Sequence, residues 1–409
     1  MDSTPRAPFG DDSPQAVRGP SGAIDPRVDS PVDPRSGPDH DRPQPFVDGV
    51  LVVGAGYAGM AAARAVERRG QRATVVDAAA RHDFTTRLAA VAGGTQQVLS
   101  ASVRLSELDM RVIEDEVVGV RDGSVQLSDG SLLHADAVVM TVGSRPADVP
   151  IAGLDLAYDL RTAADADVLR SAISEIRSPG RLVIVGAGAS GVQLAGAAAQ
   201  AHPELAVTVV EMDDRVLPGM RERTSRHAQR ILTERGVEVM VDTTVAHIDA
   251  DGVTLSDGRR VLGTVVWAGG FEAHADAYGA KLTTDGRVVL AADLRVLGTN
   301  RTFAAGDVAA HTDRHGDELA MSAQVAERAG RRAGINAARL VRGQPLDRVE
   351  LRQFGWVLDL GGRRGVAEFG PIVLAGPLID RVPPLLHWMI DLKHAISVGR
   401  WSAWSLRPR

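Results

Sequence analysis

Two apolar runs set the frame of the chain. Val50–Val53 and Leu182–Val185 are short and dominated by β-branched residues, without the alternation of a half-exposed strand. Runs of this kind predict central parallel strands covered on both faces. Each passes into a glycine-rich turn, GAGYAG or GAGASG, and then into an alanine-rich stretch that reads as a helix: Met60–Arg68 in the first case, and through Gln193 to Gln200 in the second. A further apolar run follows each, Ala73–Val76 and Ala206–Val210. The pattern predicts strand–helix–strand units over Val47–Val76 and Arg181–Glu211.

The stretches after the two units also match. After the first, Val112–Val120 and Ser124–Leu127 alternate, Ser128-Asp129-Gly130 turns, Leu132–His134 pairs back and Ala137–Met140 forms a separate buried strand. After the second, Val237–Val241, Thr244–Ile248 and Val253–Leu255 predict strands, Asp257-Gly258 a turn, and Val261–Trp267 a strand ending in Ala268-Gly269-Gly270. Unit, meander, strand, glycine end: the order occurs twice, an internal duplication. Helices are predicted at Arg161–Ile176, at Arg221–Arg235 before Gly236, and at Ser322–Leu340. Short strands are expected at Val288–Leu290 and in Thr302–Asp307.

The glycines give the units their chemistry. Gly54 allows the tight turn out of the strand, Gly56 leaves room for a pyrophosphate against the backbone, and Gly59 lets helix and sheet pack closely. Tyr57 and Ala58 lie in the same turn, where a helix N-terminus offers free N–H groups to phosphate. Asp77 closes the second strand, with Ala78 after it, and is placed to accept ribose hydroxyls. Gly186, Gly188, Gly191 and Glu211 repeat the arrangement. Glu211 suits the 2′-hydroxyl of NADH and opposes the 2′-phosphate of NADPH, although Arg215 follows closely. Two such units suggest two dinucleotides face to face, with electrons passing between them.

Composition narrows the chemistry. The 409 residues are enough for two or three domains, and 46 basic against 52 acidic side chains give a net charge of −6, with no sign of a nucleic-acid partner. Cysteine is absent from the sequence, so redox chemistry falls to a bound cofactor. No secretory leader and no apolar run of 18 residues is visible, and the default location is the cytoplasm. Residues 1–46, rich in Pro, Asp, Arg, Ser and Gly, read as a disordered extension. His311 and His315 flank an acidic loop and read as solvated side chains; no metal site is expected. Arg87 enters a small-residue helix and is either a contact to a flat cofactor ring or an exposed loop cation. In the tail, Leu385, Trp388, Met389, Leu392 and Ile396 form one helical stripe, followed by Trp401, Trp404 and the arginines 400, 407 and 409. That pattern suits a membrane surface, or packing on the core or on a second copy.

The ordered set GAGYAG, TVGSRP, GAGASG with Glu211, VVWAGG and TFAAGD resembles the flavoprotein superfamily with two dinucleotide-binding domains. Within it, the loop FTTRLAAVAGG, the tail and the lack of a cysteine pair resemble type II NADH dehydrogenases. The resemblance implies an α/β fold of two Rossmann-like domains, the NAD domain inserted in the FAD domain, plus a small C-terminal region with an amphipathic helix. The expected boundaries are 47–150 and 271–348 for the FAD domain, 151–270 for the NAD(H) domain and 349–409 for the C-terminal region. It implies FAD held by Gly54, Gly56, Gly59, Asp77, Thr141, Gly143, Gly306 and Asp307, with Gly269 closing the second half, and NADH held by Gly186, Gly188, Gly191 and Glu211. Ala323 and Gln324 match a pair that the family places near the flavin and quinone, and they stand with Arg87 as catalytic candidates. The chain departs from the family pattern at Ala89, Gln193 and Arg328. The implied activity is hydride transfer from NADH to FAD, then two electrons to a quinone-like acceptor, at the inner face of the membrane and with a homodimer in prospect. A reductase acting on a biosynthetic substrate or small redox protein, and a nucleotide-sensing flavoprotein, are the alternatives.

Overall fold

The apolar runs form the two sheet centres. The computed structural model describes residues 46–275, 278–376 and 379–397, which belong to one compact unit. In the first sheet, Phe46–Val53 lies between Ala73–Val76 and Leu132–Met140, all parallel, with Arg111–Ile113 beyond Ala73–Val76. Thr302–Ala304 returns from far along the chain to pair in parallel with Leu132–Met140. Ser124–Leu127 and Val117–Arg121 extend the sheet as antiparallel strands. Val50–Val53 are fully buried because helices cover one face and the meander side covers the other.

The second sheet is wholly parallel, in the order Glu238–Met240, Ala206–Val210, Arg181–Val185, Thr264–Trp267. The meander Val245–Asp249, Gly252–Leu255, Arg260–Leu262 lies beside it. The chain crosses between the halves as a two-stranded ribbon, Ser144–Pro146 against Phe271–Ala273, where Arg145 pairs with Glu272 at 2.7 Å. A third sheet, Trp356–Asp359, Gly365–Phe369 and Ile372–Leu374, packs Leu358, Leu360 and Val366 into the core of the second half. The closing helix Val382–Ser397 reaches back to the first half, where Ala395 joins the core.

Several predicted elements shift. The helix expected at Met60–Arg68 begins at Tyr57, with Gly56 as its N-cap. The strand expected over Val112–Val120 is two strands, parted at the acidic run Glu114-Asp115-Glu116, which cannot be buried in a continuous ladder. Leu132–His134 and Ala137–Met140 are one strand. Val261–Trp267 breaks at Gly263, whose φ of +151° leaves the ladder. Val288–Leu290 makes only single bridges. The reading of residues 1–46 as an extension lies outside the described residues up to 45, and Phe46 already belongs to the first strand.

Two helices meet closely under the first sheet. Tyr57–Arg68 packs against Ala323–Val341, and a side chain at Gly330 or Gly334 would overlap the carbonyl of Ala58 or Ala62. This approach carries the N-terminus of the long helix to the mouth of the first glycine turn. Ser322 caps that helix, its Oγ accepting from the Val325 N–H at 3.3 Å.

Candidate functional site

The two glycine turns are built alike. Asp77 accepts from the Ala55 N–H at 2.8 Å and the Ala79 N–H at 3.0 Å. Glu211 accepts from the Ala187 N–H at 2.6 Å and the Asp213 N–H at 3.0 Å. In each half, then, the acid ending the second strand holds the residue between the first two glycines. At Gly54 (φ +95°) a Cβ would lie 2.6 Å from the Thr141 carbonyl oxygen; Gly186 faces the Ala268 carbonyl in the same way. At Gly59 and Gly191 a Cβ would overlap the carbonyl oxygen of the first glycine of the turn. At Gly56 and Gly188 it would meet nothing within 4 Å. These are the two positions where a bulky anion can approach the backbone, so the turns fit two dinucleotides.

A cavity of about 890 Å³ opens at the first turn and reaches the start of the helix that follows the second. Gly54, Gly56, Tyr57, Ala58 and Asp77 line one end. Thr141, Gly143, Gly306 and Asp307 line the middle, and Ala323 and Gln324 line the wall at the long helix. The second half contributes Ala189, Ser190 and Gln193 from the first turns of its helix. Thr141 donates to the Val53 carbonyl at 2.7 Å, tying two strand ends together. Burial raises the Asp307 carboxyl above the usual range, against the Ser144 hydroxyl that donates to it at 3.1 Å. Gln324 accepts from the Phe354 N–H at 2.6 Å, and the Arg328 guanidinium lies 3.7 Å from the Phe354 ring centroid.

The roof is the closing helix. Its expected stripe is exposed: Leu385 at 56%, Met389 at 52% and Ile396 at 50%, with Trp388 and Leu392 half-buried. The face turned inward carries Asp391, His394 and Ala395. Asp391 pairs with Arg87 at 3.0 Å and accepts from the Thr86 hydroxyl at 2.7 Å. The Tyr57 hydroxyl lies 3.0 Å from that of Thr86, and the Tyr57 ring stacks on His394 with centroids 4.1 Å apart. Burial pushes the Tyr57 hydroxyl up. His82 donates from Nδ1 to the Ala55 carbonyl at 2.7 Å, and its Nε2 lies 2.9 Å from Nε2 of His394. Burial, reinforced by His394, lowers His82 to about 3. Sequence reasoning missed His82, Thr86, Asp391 and His394; the one available signal was that the polar positions of the tail helix share a face.

Three readings are corrected. Arg87 is neither a ring contact nor an exposed cation: it is 1% exposed, does not line the cavity and is neutralised by Asp391. Gly269 does not line the cavity; a Cβ there would run into the Trp267 indole, so it serves packing. His311 is buried, with Nε2 accepting from the Gly306 N–H at 3.1 Å, and burial aided by Arg287 lowers it to about 4. Gly59, Gly186, Gly188, Gly191 and Glu211 are not among the residues that line this cavity, and Ala78 is exposed beyond Asp77. Among the described residues no cluster of ligating side chains could hold a metal ion, and no helix is long and apolar enough to cross a membrane. Trp401, Trp404 and the arginines 400, 407 and 409 lie outside the described residues.

The chain is similar to known proteins in sequence and fold. The profile of the pyridine nucleotide-disulphide oxidoreductases matches residues 48–330. A type II NADH:quinone oxidoreductase of Staphylococcus aureus is 26% identical over 395 residues, spanning 86% of this chain and 96% of its own. Among solved structures, NDH2 from Plasmodium falciparum in complex with NADH superposes with a TM-score of 0.73 at 13% identity, over 88% of this chain and 99% of that one. The sulfide:quinone oxidoreductase of Aquifex aeolicus gives 0.72 at 16% identity, over 86% and 92%.

Proposed function

The chain belongs to the pyridine nucleotide-disulphide oxidoreductase family, and from that premise we propose that it is an FAD-dependent NADH:quinone oxidoreductase. The observation that carries this reading is the pair of acid-held glycine turns, each with an open position where its second glycine stands, the first lining a cavity that reaches the helix after the second. Gly54, Gly56, Asp77, Thr141, Gly143, Gly306 and Asp307 would hold FAD; Gly186, Gly188, Gly191 and Glu211 would hold NADH. FAD, when bound, supplies the two-electron chemistry that the side chains lack. The protein's own work is to orient the nicotinamide, exclude water and present polar groups at the acceptor end. Ala323 and Gln324, at the N-terminus of the long helix, sit where N–H groups favour negative charge. The Staphylococcus aureus relative, a type II NADH:quinone oxidoreductase, supports this reading.

The apolar outer face of the closing helix, with Val382, Leu385, Met389, Ile390 and Ile396 exposed, supports peripheral contact with the inner face of the cell membrane. A homodimer through the same face is the second use of such a surface. Anaerobic titration of the purified protein with NADH, followed by a ubiquinone-1 pulse, tests the function. Bleaching of the flavin absorbance and prompt recovery are expected. Bleaching without recovery would refute quinone as the acceptor and favour a biosynthetic reductase or a sensor; a colourless protein that takes up no FAD would refute the whole reading.

A further inference from the structure

The hydrogen bonds of the buried histidine pair assign its protons. A carbonyl oxygen only accepts, so the 2.7 Å contact between His82 Nδ1 and the Ala55 carbonyl puts a hydrogen on Nδ1. His82 is neutral, and its Nε2 is therefore an acceptor. The 2.9 Å contact to His394 then requires His394 Nε2 to carry a hydrogen. The remaining ring nitrogen of the pair is His394 Nδ1. It is buried, has no hydrogen-bond partner among the described residues, and faces Oε2 of Glu327 at 3.8 Å. Glu327 and His394 both line the cavity, beside Gln324 and Arg328. His394 is 2% exposed by its side chain and Glu327 31%, so one member is shielded and the other reaches water.

We propose that Glu327 and His394 share one proton at the cavity wall and deliver it to the electron acceptor, with His82 as the residue that fixes the ring. The proposal rests on the quinone reading above. The overall reaction, NADH + H⁺ + quinone → NAD⁺ + quinol, needs one proton beyond the transferred hydride. NADH is oxidised by two electrons and the quinone is reduced by two. In the delivering step an N–H or O–H bond of the couple breaks and a quinone O–H bond forms, leaving Glu327 ionised and His394 neutral. A solvent proton then returns through the accessible carboxylate.

The surroundings match this use. His394 holds the Glu327 carboxyl below the usual range, with Lys393 and Arg328 adding to the effect, and burial opposes it. Around His394 stand Tyr57 and His82 from the first half, Glu327 and Arg328 from the long helix, and Asp391 and Lys393 from its own helix. Asp391 is already committed to Arg87 and Thr86. Glu327 is thus the anion left for His394.

Two measurements on the FAD-loaded full chain test the couple. Nitrogen-15 spectra of histidine-labelled protein, assigned with His394→Gln, should show both ring nitrogens of His394 protonated at pH 7 and His82 neutral; Glu327→Gln should make His394 neutral. In stopped flow, Glu327→Gln should leave bleaching by NADH unchanged and slow reoxidation by ubiquinone-1 by roughly 100-fold, within the range for general acid catalysis. Reoxidation by ferricyanide, which takes electrons without protons, should stay at the wild-type rate. Equal slowing with both acceptors, no slowing with either, or a neutral His394 in the wild type overturns the proposal. A wild type that bleaches with NADH but ignores ubiquinone-1 overturns the quinone reading and this acceptor with it. That result is distinct from failure of the couple alone, in which both proteins turn over quinone at the same rate.

Discussion

Gly56→Ala separates holding a dinucleotide from holding the fold. A Cβ at Gly56 meets no atom within 4 Å, and the backbone there, φ −68° and ψ −171°, is open to any residue. The substitution should leave apoprotein stability within about 0.5 kcal/mol, since the small preference for glycine at an N-cap and the lost freedom of the unfolded chain oppose each other. Gly59→Ala is the opposite case. Its Cβ would overlap the Gly54 carbonyl oxygen and sit 2.8 Å from Thr141 Oγ1, overpacking that costs about 1–3 kcal/mol. At ~2–4 °C per kcal/mol the melting point falls by several degrees. Cofactor retention should run the other way. The methyl at position 56 fills the space through which the backbone meets phosphate, and losing one charge-assisted hydrogen bond costs about 1.5–3 kcal/mol, roughly a 10- to 150-fold weaker complex. The assay is FAD titration of apoprotein by fluorescence quenching, alongside thermal melts of each apo variant. A Gly56→Ala protein that binds FAD like the wild type, or melts as low as Gly59→Ala, would refute the reasoning.

The second turn gives the matching test: Gly188→Ala and Glu211→Ala should each raise the KM for NADH by about 10-fold or more, with FAD content unchanged, read by steady-state kinetics and absorbance. Asp391→Asn leaves Arg87 buried without its counter-ion, at a cost of about 3–5 kcal/mol; the closing helix should loosen, seen as faster proteolysis near Val382–Ser397 and altered Trp388 fluorescence. His82 and His311 are held neutral, at about 3 and about 4 against the ordinary 6.5. The unfolded chain therefore binds more protons below pH 6.5. Stability should be full above that value and fall as pH drops toward 4, by ~1.4 kcal/mol per unit and group. Melts between pH 5 and 7.5 measure the slope, and His311→Gln should reduce it.

The strand–turn–helix units were legible because local chemistry dictates them: β-branched runs, glycines at tight turns and close backbone approaches, and an acid at a strand end. The meander boundaries were less so, since whether Val112–Val120 or Val261–Trp267 stays one strand depends on which neighbour pairs with it. The closing helix shows the limit of periodicity. Spacing finds the apolar stripe of Leu385, Met389 and Ile396, but which face is buried depends on the surface beneath. Here that surface is Arg87, His82 and Tyr57, some 300 residues earlier, and it favours Asp391 and His394. His311 was misread for the same reason. Its loop sits over a strand that joins the sheet from far along the chain, and this buries the ring against Gly306.

The matched grip of Asp77 on Ala55 and of Glu211 on Ala187 has a kinetic consequence. Each turn is clamped in its receiving shape by its own acid, so ordering of the backbone is completed when the chain folds and not when a nucleotide arrives. Each arriving molecule meets a rigid mould. Nucleotide exchange in the second half can therefore proceed at each turnover as a quick docking and release, without disturbing the tenant of the first.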